Sequence, residues 1–309
     1  MLCHFSGAPM IAALFQQEMS TRKALMAVFI SSSIWGVLWV PLRWLDLLGY
    51  QELWSTFAFL AIPVLPLFFF TYHRIKASLR FWPVYLLAGG FIGAGFSLYC
   101  TGLVIGSVTK TTLLFYLTPV WGSILGMIFL SERATVMRWL ANGLGLLGCA
   151  LIMGISSGDL ILEVSDILGF TAGIVWAFGG VMLRRYPEAD YLGLVFCQYV
   201  LGTTFTLIAI VLIGTPPPSV EQWFSGIVVA LITAAIFLPT MALIFRISQY
   251  VSPGLVALLM LSEVVLAVLS AMVLLGERLT MLQWLGASLI FLTALLAAYS
   301  SEPEGHSEG

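Results

Sequence analysis

Charge is what this 309-residue sequence has least of: Asp, Glu, Lys and Arg make up 9% of it, against 60% hydrophobic residues, and its mean hydropathy is +1.03. A water-soluble domain of that balance would expose apolar patches far larger than soluble monomers carry, so lipid is the solvent. The thirteen Lys and Arg are dispersed, which excludes nucleic acid as a partner, because a phosphate backbone needs a clustered basic surface. Histidine is nearly absent. His4, His73 and His306 lie outside the apolar runs, with no carboxylate pair or metal-ligand spacing beside them, so no metal or cofactor site is expected. The four cysteines, Cys3, Cys100, Cys149 and Cys197, are too scattered for a disulfide framework and read as small apolar side chains. Alternating strand patterns are missing, which argues against a membrane barrel.

What is present is a series of apolar runs. A helix needs about 20 apolar residues to cross roughly 30 Å of hydrocarbon, and ten such segments emerge, at residues 24–42, 53–72, 81–107, 111–130, 139–156, 167–183, 191–213, 223–245, 253–275 and 281–299. The links are short. The longest, "GTPPPSVEQ" at 214–222, is stiffened by three prolines that no helix interior tolerates. With the N-terminus in the cytoplasm, ten Lys and Arg fall inside and three, Arg43, Lys110 and Arg278, outside, a bias that places both termini in the cytoplasm. Residues 1–18 have an apolar stretch with no preceding positive charge, a poor signal peptide. "MSTRKALMAVF" from Met19 reads as the more natural start, so 1–23 is taken as an N-terminal segment and the acidic 300–309 as a disordered tail.

The chain is also repeated. "SERATVMRWL" at 131–140 and "GERLTMLQWL" at 276–285 align Glu132, Arg133, Thr135, Trp139 and Leu140 with Glu277, Arg278, Thr280, Trp284 and Leu285, 145 positions on (277 minus 132). "SSIWGVLWVPLRW" at 32–44 likewise matches "AGIVWAFGGVMLRRY" at 172–186, pairing Trp35 with Trp176 and Arg43 with Arg184. Repeats of five helices each, an odd number, must enter the membrane from opposite sides. The expected architecture is therefore an all-α membrane protein of ten transmembrane helices in two inverted five-helix repeats, 24–158 and 159–299, a plan that gives carriers two near-equivalent shapes. Arg133 and Arg278 are expected to anchor helix ends at opposite faces, as gating or structural residues; ordinary interfacial snorkelling is the plainer alternative.

With its ten helices, a Trp-bearing first helix in each half, the closing turn of Gly276, Glu277, Arg278, Thr280, Trp284 and Gly286, and "YLTPVWGSILGMIFLSER" at 116–133, the sequence resembles the EamA-type carriers of the drug/metabolite transporter superfamily. The resemblance covers roughly residues 24–299. It implies a fold similar to bacterial amino-acid exporters of the YddG kind, with a central cavity lined by helices one, three, four, six, eight and nine, and it favours export. Ser131 departs from the pattern, standing where a glycine is usual. The family's solutes are diverse, so the fold is implied more firmly than the substrate.

Glu263 is the one ionisable residue deep in a run. Counted from Pro253 it is the eleventh residue, which at about 1.5 Å per residue lies near the midplane. An acidic group there costs roughly 2.5 to 3.5 kcal/mol, so Glu263 is expected to face a polar interior, to contact substrate and to couple transport to protons; a neutral Glu that merely packs is the alternative. Ala267 and Ser270 fall on the same helix face. By the repeat its counterpart is Thr118, which with Tyr116 offers hydroxyls, while the small-residue face of Gly122 and Gly126 is explained by packing. Pro41, Pro119 and Pro239 each remove a backbone hydrogen bond within a span, tolerated where neighbours or cavity water satisfy the freed carbonyl. Trp44, Trp54, Trp82, Trp139, Trp223 and Trp284 lie at helix ends, as an interfacial belt does. Trp35, Trp176, the intermediate Trp39, and Tyr99 are candidate cavity walls, suited to an apolar or cationic solute, and plain packing is the alternative for each.

Enzymatic signals are weak. "GISSG" at 154–158 matches a nucleophile elbow only formally, since it ends a membrane helix instead of following a strand, and "GSVTKTT" at 106–112 lacks the ending of a phosphate loop. The reading is a secondary transporter, not an enzyme, in the cell membrane, a bacterial inner membrane on the resemblance. It moves an amino acid or amphipathic amine by alternating access, with membrane lipid, a small-molecule substrate and protons as its partners. Uptake of a cationic solute such as choline is the alternative, and a channel or lipid scramblase remains open by composition. Oligomeric state is not legible.

Overall fold

The computed structural model describes residues 21–51, 53–105, 108–153, 162–275 and 280–299. The readings made for residues 1–18, for 154–158, for the tail and for Gly276, Glu277 and Arg278 lie outside them. Among the described residues there is no strand. Fourteen α-helices build the ten spans: α1 (Thr21–Trp35) and α2 (Trp39–Leu47) form the first, α3 (Leu53–Ala61) and α4 (Val64–Ala77) the second, α5 (Trp82–Ile105) the third, and α6 (Val108–Phe115) and α7 (Thr118–Leu130) the fourth. Then come α8 (Val136–Met153), α9 (Val164–Arg185), α10 (Tyr191–Ile213), α11 (Val220–Ser248), α12 (Pro253–Met260) with α13 (Ser262–Leu275), and α14 (Met281–Tyr299). Eight spans are long and apolar enough to cross a membrane by themselves, and the fifth and tenth carry the shorter apolar stretches Val136–Leu151 and Met281–Thr293.

The packing displays the inverted repeat. Span one lies against spans eight and nine, span six against spans three and four, and span five against span ten. Close crossings need residues without bulk: a Cβ at Gly122 would meet Gly254 backbone at 3.0 Å, which seats span four directly on span nine.

Four spans are broken, and the breaks have identifiable causes. In span four, Pro119 sits in the first turn of α7, so the Phe115 carbonyl four residues back loses its partner. The Thr118 hydroxyl donates to that carbonyl instead. In span one, Pro41 frees the Val37 carbonyl, which accepts from the Val40 amide at 3.1 Å. Pro63 precedes α4 in span two. Span nine breaks at Leu261 without a proline, 145 positions after Tyr116, where the Ser262 hydroxyl bonds the Phe29 carbonyl at 3.0 Å. Pro239, by contrast, stays inside an uninterrupted α11.

The duplicated turns prove to be helix starts. Thr135 accepts from the Arg138 amide at 3.2 Å at the head of α8, and Thr280 accepts from the Gln283 amide at 3.3 Å at the head of α14, where the Thr280 amide donates in return to Gln283 Oε1 at 2.9 Å. Both threonines thus act as N-caps. Ser131, the departure from the family pattern, is the one described non-glycine residue with a left-handed backbone, φ 56°, at the C-cap of α7. Glycine is usual there because it alone adopts that conformation without steric cost.

Candidate functional site

One end of the molecule carries Arg74, Arg138, Arg184, Arg185 and Arg246 at or near helix termini; it is called the basic end below. The breaks in spans one, four and nine meet at mid-depth, and on the side away from the basic end they enclose a cavity of about 210 Å³. Its walls come from spans one, three, four, six, eight and nine: Trp35, Gly36, Leu38, Trp39 and Leu42; Phe96, Tyr99, Cys100 and Leu103; Phe115 and Tyr116; Trp176; Met241; Met260, Glu263 and Ala267.

The aromatic wall is held rigidly. Trp35 packs edge-on against Phe59, Phe96 and Phe237, with centroids 6.1, 6.3 and 5.2 Å away, and its indole donates to the Thr240 hydroxyl at 3.0 Å. The Trp39 indole donates to the Ser270 hydroxyl at 3.0 Å. Tyr99 stacks on Phe115 at 4.4 Å, and Phe115 in turn meets Trp176 edge-on at 6.0 Å. Large flat side chains fixed in this way lose little further entropy when a solute binds.

Glu263 stands at the start of α13, on the cavity wall. Tyr116 donates its hydroxyl to Glu263 Oε1 at 2.7 Å, a charge-assisted bond when the carboxyl is ionised. Span one crosses here without side-chain spacing, since a Cβ at Gly36 would collide with the Glu263 carbonyl oxygen and lie 2.7 Å from the Ala267 amide. Among the described residues the lining contains no Lys, Arg or His. Among the described residues no three His, Cys, Asp or Glu gather as a metal set.

Towards the basic end the structure closes. A small cavity of about 30 Å³ remains there, lined among others by Thr118, Trp176, Ser248, Val256 and Met260. Beyond it Arg184, at the end of α9, reaches Glu132 Oε1 at 3.5 Å and donates to the Gln249 carbonyl at 3.2 Å. Arg138 approaches Glu132 Oε2 at 3.9 Å, Arg185 donates to the Phe129 carbonyl at 2.8 Å and Gln249 donates to the Ala189 carbonyl at 2.7 Å. The ends of spans four, six and eight are tied together. Burial pushes the Glu132 carboxyl above the usual carboxylate range, although Arg138 and Arg184 pull the other way.

Of the residues singled out in the sequence, Trp35, Trp39, Tyr99, Tyr116, Trp176 and Glu263 come together on one cavity. Thr118 does not reach it; it faces the smaller space and serves the Phe115 carbonyl. Arg133 is exposed and makes no ion pair among the described residues, so the anchoring expected of it falls to Arg184 and Arg138. Phe96, Phe115, Met241 and Met260 were not legible as wall residues, because apolar residues within an apolar span carry no signal of which face they take. Arg184 had a signal, its register with Arg43, though none that named Glu132 as its partner.

Comparisons with known proteins agree with this architecture. A model of the EamA-like transporter family matches the chain twice, at residues 22–154 and 164–299. The uncharacterised transporter YvbV of Bacillus subtilis is 24% identical over 228 residues, 72% of this chain and 73% of that protein. A second uncharacterised Bacillus subtilis transporter, YyaM, is 28% identical over 188 residues, 59% of this chain and 61% of its own length. A solved crystal structure superimposes with a TM-score of 0.69 over 90% of this chain and 97% of its own at 19% identity, a likeness of fold.

Proposed function

The chain belongs to the EamA-like transporter family, and from that premise we propose that it is a secondary carrier exporting a small amino-bearing metabolite, an amino acid or an amphipathic amine, by alternating access with proton coupling through Glu263. The observation that supports this reading is a solute-sized, aromatic-walled cavity at the junction of two inverted halves, tied shut towards the basic end by residues that bridge three spans. The excess of Lys and Arg puts the basic end, and both termini, in the cytoplasm. The cavity then belongs to an outward-facing form, and rocking of the halves about the midplane breaks exposes the same walls to the other side. A carboxyl at that junction can take a proton on one side and release it on the other.

The test is flux in proteoliposomes with imposed pH gradients. A carrier gives saturable uptake that is accelerated by unlabelled solute on the opposite side, and Glu263→Gln loses accumulation driven by the pH gradient. Flux that does not saturate identifies a channel, flipping of labelled phospholipid identifies a scramblase, and undiminished gradient-driven accumulation by Glu263→Gln removes that residue from coupling.

A further inference from the structure

Most polar groups around the cavity already have partners. The Trp35 and Trp39 indoles donate to Thr240 and Ser270 at 3.0 Å each. The Tyr99 hydroxyl pairs with Thr112 at 3.2 Å, and the Tyr116 hydroxyl donates to Glu263. At the helix breaks, where free amides could hold an anion, the turn amides are already engaged. The amides of Gly36, Val37 and Leu38 donate to the carbonyls of Ser33, Ile34 and Trp35, and those of Leu117 and Leu261 to Leu114 and Leu258. Among the described residues, what remains to meet a solute is a set of aromatic faces, the Trp176 indole and one carboxylate, with no cationic side chain in the lining.

A solute carboxylate would enter this space beside Glu263, stripped of water and facing a like charge with no cation to pair with. An ammonium group meets the opposite situation, with a carboxylate to pair with and ring faces whose negative quadrupole attracts it. Resting on the reading that this cavity is the carrier's binding site, we infer that its substrate is an organic monocation, an amine or quaternary ammonium without a carboxylate, and that zwitterionic amino acids are excluded. The volume of about 210 Å³ is below the roughly 300 to 1,000 Å³ of drug-sized sites, so the cation is small. Glu263 supplies the charge, and Trp39, Phe115 and Trp176 supply the ring faces.

Three compounds that share a phenyl ring and differ in charge test this: 2-phenylethylamine, phenylalanine and 3-phenylpropionate. Each is titrated calorimetrically into the purified full-length protein in detergent. The expected result is that the amine binds at least tenfold more tightly than phenylalanine, with no binding of the propionate. Glu263→Gln should weaken the amine at least tenfold, and Trp39→Leu severalfold, in preparations that remain monodisperse. Phenylalanine or the propionate binding as tightly as the amine, amine binding unchanged in Glu263→Gln, or no amine binding to the wild type overturns the inference. The readout is separate from the carrier reading: tight amine binding without saturable flux leaves the cation site and rejects the carrier, whereas saturable flux of phenylalanine with weak amine binding does the reverse.

Discussion

Tyr116 and Glu263, 147 residues apart, meet at 2.7 Å where the break of span four faces the break of span nine. Each stands at a helix break of its own repeat, so the bond ties the two inverted halves together at the cavity wall. A hydrogen bond to a charged group contributes about 1.5 to 3 kcal/mol, and about 1.4 kcal/mol is a factor of ten. Tyr116→Phe, which keeps the ring, should fold normally and raise the KM for transport about tenfold. An unchanged KM would mean that the bond plays no part in presenting the carboxylate.

Ser131 holds a left-handed backbone at φ 56°, a conformation that costs a residue with a Cβ about 1 kcal/mol. Ser131→Gly should therefore stabilise the protein by about that amount and raise its melting temperature by roughly 2 °C, as followed by a thermal-shift assay in detergent. A lower melting temperature would show that the hydroxyl contributes more than the backbone strain costs.

The architecture was legible in the sequence and the cavity only partly so. Solid apolar runs marked all ten spans, because a helix in lipid must be apolar along its whole length. The register of Glu132 with Glu277 revealed the inversion. For the same reason the sequence concealed the walls: Phe96 faces the cavity while Phe129 is exposed on the outer surface, and both sit in equally apolar surroundings. Polar residues escaped that ambiguity, since burying Glu263 or Tyr116 in a span needs a reason. Their pairing, and the ties from Arg184 to Glu132 and Gln249, depend on how the spans are arranged, which no local pattern encodes.

Acidification should close the basic end further. Burial holds the Glu132 carboxyl above its ordinary range in the closed form, so that form binds a proton more tightly than one in which the side chain is solvated. By linkage, closure is favoured as pH falls and loses that contribution as pH rises through the raised value. Spin labels at Arg133→Cys and Tyr250→Cys, both at exposed positions, should therefore shift towards the shorter, closed distance at lower pH. Glu132→Gln should remain closed and insensitive to pH. Opening on acidification would show that the ion pairs with Arg184 and Arg138 outweigh burial.

If one site is reached alternately from two sides, Met260 is placed to report it, since it lines both the main cavity and the small space towards the basic end. Met260→Cys, in a background with Cys3, Cys100, Cys149 and Cys197 replaced by Ala, is alkylated by a membrane-impermeant maleimide applied to one face at a time. Adding Arg184→Ala removes a tie worth up to about 1 kcal/mol, roughly a fivefold shift in population. For alternating access, labelling from the basic end should then rise several-fold while labelling from the opposite face falls. A rise from both faces together would contradict it in favour of a continuous pore, and labelling confined to the opposite face in both proteins would contradict it in favour of a static pocket.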